Sequence, residues 1–133
     1  MPKADARRAM GLVGTPFRPQ GRDSTGLDCV GVVLRAYDIP DKEAPDDYRL
    51  RGKLTPDGAK LIERFFRPVK ARQRRAGDLL LLAPHDDQAH FAVQTEHGFV
   101  HAHAGLRKVV ETPGEPEWPM VGSYRRRKIV AAA

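Results

Sequence analysis

The stretch GLDCVGVVLRAY, Gly26–Tyr37, holds Cys29, the single cysteine of the chain. It places that thiol directly after a glycine-bounded loop and at the head of an apolar run. Asp28 has the short acceptor side chain that suits the residue before a helix. Val30, Val33, Leu34 and Tyr37 then recur at helical spacing, so one face of a helix is apolar. Pro40 lies just beyond its end. Upstream, PQGRDSTG (Pro19–Gly26) is a loop by composition. Before it, residues from about Ala4 to Val13 are expected to form a short helix with Ala6, Met10 and Val13 inward, ended by Gly14 and Pro16.

Downstream, residues 38–54 read as an irregular excursion. Thr55-Pro56-Asp57 is a helix start: a capping hydroxyl, a proline at the first helical position, then an acid. Leu61, Ile62, Phe65 and Phe66 supply its apolar stripe, and Pro68 stops it. From Arg75 onward the period changes. DLLLLA (78–83) is short and continuously apolar, as a buried strand is. AHFAVQT (89–95), GFVHAHA (98–104) and LRKVVE (106–111) follow as strands separated by tight turns, with a last strand in VGSYRRRKIV (121–130). Helices first and an antiparallel meander second make an α+β fold, with N-terminal helices packed on an antiparallel sheet.

The chain has 133 residues, the size of one domain spanning 1–133, and its 41% hydrophobic content is not that of a disordered chain. The net charge of +6 favours an acidic partner without selecting one. RQRR (72–75) and RRRK (125–128) raise the possibility of nucleic-acid binding. They lack the interleaved aromatics of a stacking platform and read as solvated surface, so nucleic acid is not the expected partner. One cysteine excludes an internal disulfide. No stretch is long and apolar enough to span a membrane. The N-terminus, MPKADARRAMGLVG, has no sustained apolar region and does not read as a signal peptide, so the expectation is a protein made in the cytoplasm.

A thiol becomes a strong nucleophile when ionised, and the positive end of a helix dipole favours the thiolate. Cys29 therefore sits where an activated nucleophile would, although a lone buried cysteine also fills cores. His85, His90, His97, His101 and His103 all fall in the strand region. No spacing among them is diagnostic of zinc, so no metal is expected. A thiolate–imidazole pair needs one histidine near Cys29 and a third polar group to orient it. His90 opens one strand, and His101 or His103 on the next could fill the third role.

At these residues the sequence resembles the NlpC/p60 cell-wall peptidases. GTPFRPQGRDSTGLDCVGVV is similar to that family's nucleophile motif, with Gly14, Pro16, Gly26, Asp28, Cys29 and Gly31 matching. RAGDLLLL (75–82) resembles its strand opening with Gly-Asp-Leu, and HFAVQTEHGFVHA (90–102) resembles its histidine segment. The resemblance implies a papain-like core with Cys29 as nucleophile, His90 as general base and acid, and His101 orienting it. It implies that Asp28 recognises the amino end of a peptidoglycan stem peptide. Two positions depart: Phe17 replaces the family's tyrosine and Val30 its serine. With Asp28 and His103 they make up the expected substrate-binding set.

The reading of the whole sequence is thus a cysteine peptidase or amidase cleaving amide bonds in stem peptides, with no cofactor. By analogy with short members of that family, a phage tail or gene-transfer-agent particle is the expected partner and the route to the wall. A structural tail component with the same fold but no turnover is the rival, motivated by Phe17 and Val30. The strand register bears on the third residue. In an antiparallel pair, opposing residue numbers sum to a constant. A sum of 191 sets His90 opposite His101, a sum of 193 sets it opposite His103, and a turn on His97-Gly98 gives 195. All three keep these histidines on one face, so the local pattern leaves both candidates, and the resemblance selects His101.

Overall fold

The computed structural model describes residues 2–44, 56–84 and 89–127. Three helices, α1 (Pro2–Gly11), α2 (Cys29–Ala36) and α3 (Pro56–Phe65), precede most of the strands. Those strands are β1 (Arg22–Asp23), β2 (Gly26–Leu27), β3 (Phe66–Pro68), β4 (Leu79–Leu82), β5 (His90–Gln94), β6 (Gly98–His103), β7 (Lys108–Pro113) and β8 (Met120–Arg126). β3 to β8 form one sheet in the order β3-β8-β4-β5-β6-β7, and every neighbouring pair is antiparallel. The α+β architecture is the one expected from the sequence.

The four leucines of β4 are buried on both faces of the sheet. Leu79 and Leu81 join Phe91, Val93 and Val100 in the cluster packed under Val32, Val33 and Leu34 of α2. Leu80 and Leu82 join Ala92 and Phe99 in a second cluster, closed by Trp118 and Met120. A strand buried on both sides needs no polar alternation, hence the unbroken apolar run.

Several expectations are corrected. Met10 and Val13 are exposed, at 42% and 43%, and α1 ends at Gly11. The inward face is Asp5, Ala6 and Ala9 instead. Asp5 is buried because Arg8 and Arg126 both reach its carboxylate. The 19–26 segment is not wholly loop, since β1 and β2 pair as a small hairpin. Phe66 does not continue the helical stripe of α3; it starts β3, which pairs with β8. Within the RRRK run, Arg125 and Arg126 are not solvated surface. Arg125 chelates Asp78 through Nε and Nη2, both at 2.9 Å, Arg126 reaches Asp5 at 3.1 Å, and Arg127 donates to the Glu63 carbonyl at 3.0 Å. Thr55, His85 and Lys128, along with most of the excursion before α3, lie outside the described residues.

The Gly-Asp pair at the head of β4 has a specific task. Asp78 is 0% exposed and accepts from the Arg75 amide as well as from Arg125. The Tyr37 hydroxyl, at the end of α2, donates to the Gly77 carbonyl at 2.8 Å. The motif therefore ties the cysteine helix to the sheet. At the other end of that helix, residues 14–17 run along β7. Gly14 N–H donates to the Val109 carbonyl at 2.9 Å and Phe17 N–H to the Arg107 carbonyl at 2.8 Å.

Candidate active site

Cys29 is the first residue of α2, and Asp28 is its cap. One Asp28 oxygen accepts from the Gly31 amide at 2.9 Å and the other from the Gln20 amide at 2.7 Å. Arg22 lies 3.3 Å from the same carboxylate. Asp28 is 0% exposed, so it holds the loop 20–22 against the helix start and shows no surface to a ligand in this conformation. Burial raises its pKa, against the Gly31 and Gln20 amides and Arg22, which lower it. The loop packs very closely on the helix. A Cβ on Gly31 would lie 2.2 Å from the Gly21 carbonyl oxygen, and one on Gly21 2.2 Å from that of Gly26. Gly31 is fixed by this backbone contact, since any side chain would force loop and helix apart.

The Cys29 thiol meets the backbone amides of Phe91, Val30 and Cys29 itself, so the helix start faces the beginning of β5. Those amides favour a thiolate. Burial and the neighbouring Asp28 carboxylate oppose it more strongly and push the thiol up to about 12. The expectation of a thiol acidified by its helix start is thus not met in the resting structure: desolvation outweighs the dipole.

His90, His101 and His103 share the face of the sheet that carries Phe99 and Trp118. Nε2 of His90 and Nδ1 of His101 are 2.9 Å apart, and Nε2 of His101 lies 3.0 Å from Oγ1 of Thr112. His101 is 2% exposed, so both its nitrogens need the partners they have. The Trp118 indole packs edge-to-face with both rings, with centroids 5.5 Å from His90 and 5.7 Å from His101. Burial lowers His90 to about 4 and His101 to about 3, with the other histidines adding to the effect. Nδ1 of His90 makes no hydrogen bond among the described residues. No hydrogen bond joins Cys29 to His90 among those residues.

The register has a sum of 193, with Val93 opposite Val100 and Gln94 opposite Phe99. Straight across the sheet, that register points His90 at His103. The hydrogen bond nevertheless goes to His101, its diagonal neighbour, which long side chains reach across a twisted sheet. The same diagonal step recurs on the next pair. His101 lies opposite Val110, but its bond goes to Thr112. His103 is half-buried; its Nδ1 accepts from the Leu106 amide at 3.1 Å, outside the chain of rings. With Thr112, Glu117 and Trp118 it lines a cavity of about 180 Å³.

Phe17 and Val30 are partly buried against the main core. His97 lies at the β5–β6 turn, lining a different cavity of about 190 Å³. Among the described residues, no group of three or more His, Cys, Asp or Glu side chains is disposed to hold a metal. Sequence reasoning missed Thr112 and Trp118. Period-two alternation on β7 could have placed Thr112 on the histidine face, whereas Trp118 sits outside any strand and carries no periodic signal.

No family model matches the sequence, and no curated protein does. Solved structures match it in three dimensions. NlpC1 from Trichomonas vaginalis superposes over 96% of this chain with a TM-score of 0.71 at 16% identity, and this chain spans 45% of that protein's length. The NlpC/p60 domain of the peptidoglycan hydrolase SagA matches over 85% of this chain and 89% of its own, with a TM-score of 0.60 at 24% identity. The peptidoglycan hydrolase RipB from Mycobacterium tuberculosis matches over 94% of this chain and 63% of its own, with a TM-score of 0.62 at 22% identity. The chain therefore has the NlpC/p60 fold.

Proposed function

We propose that this chain, built on the NlpC/p60 fold, is a cysteine endopeptidase or amidase that hydrolyses an amide bond in the peptide stems of bacterial peptidoglycan. The observation that carries the reading is the hydrogen-bonded chain His90–His101–Thr112, whose first residue adjoins Phe91, the β5 residue whose amide the Cys29 thiol meets. The substrate class rests on the neighbours named as peptidoglycan hydrolases.

The hydrogen-bond chain accommodates a set of ring protons suited to catalysis. If His101 donates from Nε2 to Thr112, its Nδ1 is an acceptor, and His90 donates to it from Nε2. His90 Nδ1 then carries a lone pair, the form a general base requires. The resting pair is a neutral thiol and a neutral imidazole, as their pKa directions require. In the reaction His90 takes the Cys29 proton as sulfur attacks the amide carbonyl. The backbone amides at the start of α2 receive the developing oxyanion. His90, now protonated, gives its proton to the leaving amine as the C–N bond breaks. Water deprotonated by His90 then attacks the thioester, releasing the carboxylate and restoring the thiol.

A second reading has its own support. A thiol raised to about 12 with no hydrogen bond to His90 is also what a catalytically silent member of the fold would have. Digestion of purified peptidoglycan, with the fragments identified by mass spectrometry and Cys29→Ala as control, separates the two. New amino and carboxyl ends that vanish with Cys29→Ala support hydrolysis. Unchanged walls, with a protein that still binds them, support the silent reading.

A further inference from the structure

The chain's positive charge is concentrated in one place. The segment RPVKARQRR, 67–75, contains Arg67, Lys70, Arg72, Arg74 and Arg75 and no acidic residue. Without these five the chain has 18 basic residues against 17 acidic, so the segment carries nearly all of the net +6. Arg67, Lys70, Arg72 and Arg75 are exposed, and none makes a side-chain ion pair or hydrogen bond among the described residues. Only Arg74 is engaged, with Gln94 and Glu115.

Charges on an edge strand such as β3 can serve simply to prevent edge-to-edge pairing. Here they continue past the strand into residues 70–75, where there is no edge left to protect. The backbone beneath them is also fixed. Val69 N–H donates to the Ser123 carbonyl at 2.9 Å, the Ser123 hydroxyl donates to the Val69 carbonyl at 2.7 Å, and Arg125 donates to the Gln73 carbonyl at 3.0 Å. The cations thus project from a pinned turn and not from a loose tail, so little ordering is needed when a ligand engages them.

We infer that this edge is a binding surface for a linear phosphodiester polymer of the cell wall, of the polyol-phosphate type. Four exposed cations closely spaced along one fixed segment suit a polymer with regularly repeated single negative charges. The choice of a wall polymer over nucleic acid rests on the proposed function and on the absence of aromatic side chains from 67–75. β3 lies three strands from β5, roughly 14 Å at ordinary strand spacing, so the wall polymer and the stem peptide engage separate parts of the molecule.

The test is co-sedimentation of the full chain with purified Gram-positive walls, before and after hydrofluoric acid removes their polyol phosphate. Retention should fall at least tenfold on stripped walls. With four cations engaged, each doubling of salt should weaken it about sevenfold. The fourfold charge reversal R67E/K70E/R72E/R75E should abolish retention while leaving turnover of a small soluble stem peptide and the melting temperature unchanged. Equal retention on stripped walls, or by the reversed variant, would overturn the inference. Tighter binding to double-stranded DNA than to purified polyol phosphate at equal phosphate concentration would also overturn it, in favour of nucleic acid. Loss of retention by the reversed variant, in a protein whose wild type does not cleave, would reject the peptidase reading and leave this surface standing.

Discussion

Thr112→Val tests the ring-proton assignment at its far end. The substitution keeps the shape of the side chain but replaces the Oγ1 that lies 3.0 Å from His101 Nε2 with a methyl group. His101 is 2% exposed, so its N–H is left buried without an acceptor, at a cost of about 1–3 kcal/mol. The ring avoids that cost by moving its proton to Nδ1, where it meets the proton on His90 Nε2. His90 must then switch as well, and its Nδ1 loses the lone pair needed by the thiol. The free energy that holds the reactive tautomer is therefore the same 1–3 kcal/mol, which corresponds to a kcat lower by about fivefold to 150-fold. KM should change little, because Thr112 acts through His101. The assay is steady-state hydrolysis of a soluble stem peptide by chromatography, with ring nitrogen shifts followed by NMR. Thr112→Ser should restore both kcat and the tautomer. A Thr112→Val enzyme with wild-type kcat, or a serine variant as slow as the valine one, would refute the reasoning.

Three further outcomes follow from the same structure. Alkylation of Cys29 in the free protein should speed up about tenfold per pH unit from pH 6 to 10 without levelling off, because the thiol is raised to about 12; a plateau below pH 8 would show an acidified thiol instead. His90 and His101 have folded pKa values of about 4 and 3, below their unfolded value of 6.5, so the unfolded chain binds more protons in between. Their contribution to stability is complete above about pH 6.5 and is lost as pH falls towards 4, and urea melts of wild type against His101→Asn should show a smaller acid loss in the variant. Arg125→Ala should lower stability by about 3–5 kcal/mol in a denaturant melt, since it strands the buried Asp78 carboxylate; a loss under 1 kcal/mol would mean that Asp78 does not depend on it.

What was legible in the sequence were the features set by neighbours in the chain. The helix start at Asp28, the two-sided burial of Leu79–Leu82 and the shared face of His90, His101 and His103 all follow from local spacing. The errors arise where distant residues decide. Hydropathy alone puts Met10 inside and Asp5 outside, and Arg126, 121 positions away, joins the local Arg8 in reversing that choice. The three-residue β3 is invisible without β8 to pair with it. The register argument fixed the face but assumed straight-across partners, while the twisted sheet joins His90 to His101, and His101 to Thr112, along the diagonal. For Cys29, the helix dipole is visible in sequence and the surrounding desolvation is not.

The position of β8 between β3 and β4 has a kinetic consequence. It pairs Phe66 with Arg126 and Leu79 with Tyr124, residues far apart in the chain, so the centre of the sheet closes only after long loops are brought together. Until Met120–Arg126 has been synthesised and docked, one edge of the Leu79–Leu82 strand is bare, and four consecutive leucines with open backbone groups are a template for self-association. The arginines that close the sheet, Arg125 and Arg126, also pair with the buried Asp78 and Asp5. Trp118, which packs on the rings of His90 and His101, lies two residues before that strand. A chain truncated before Trp118 would therefore keep the segment of its cysteine helix but have neither a closed sheet nor a covered histidine pair.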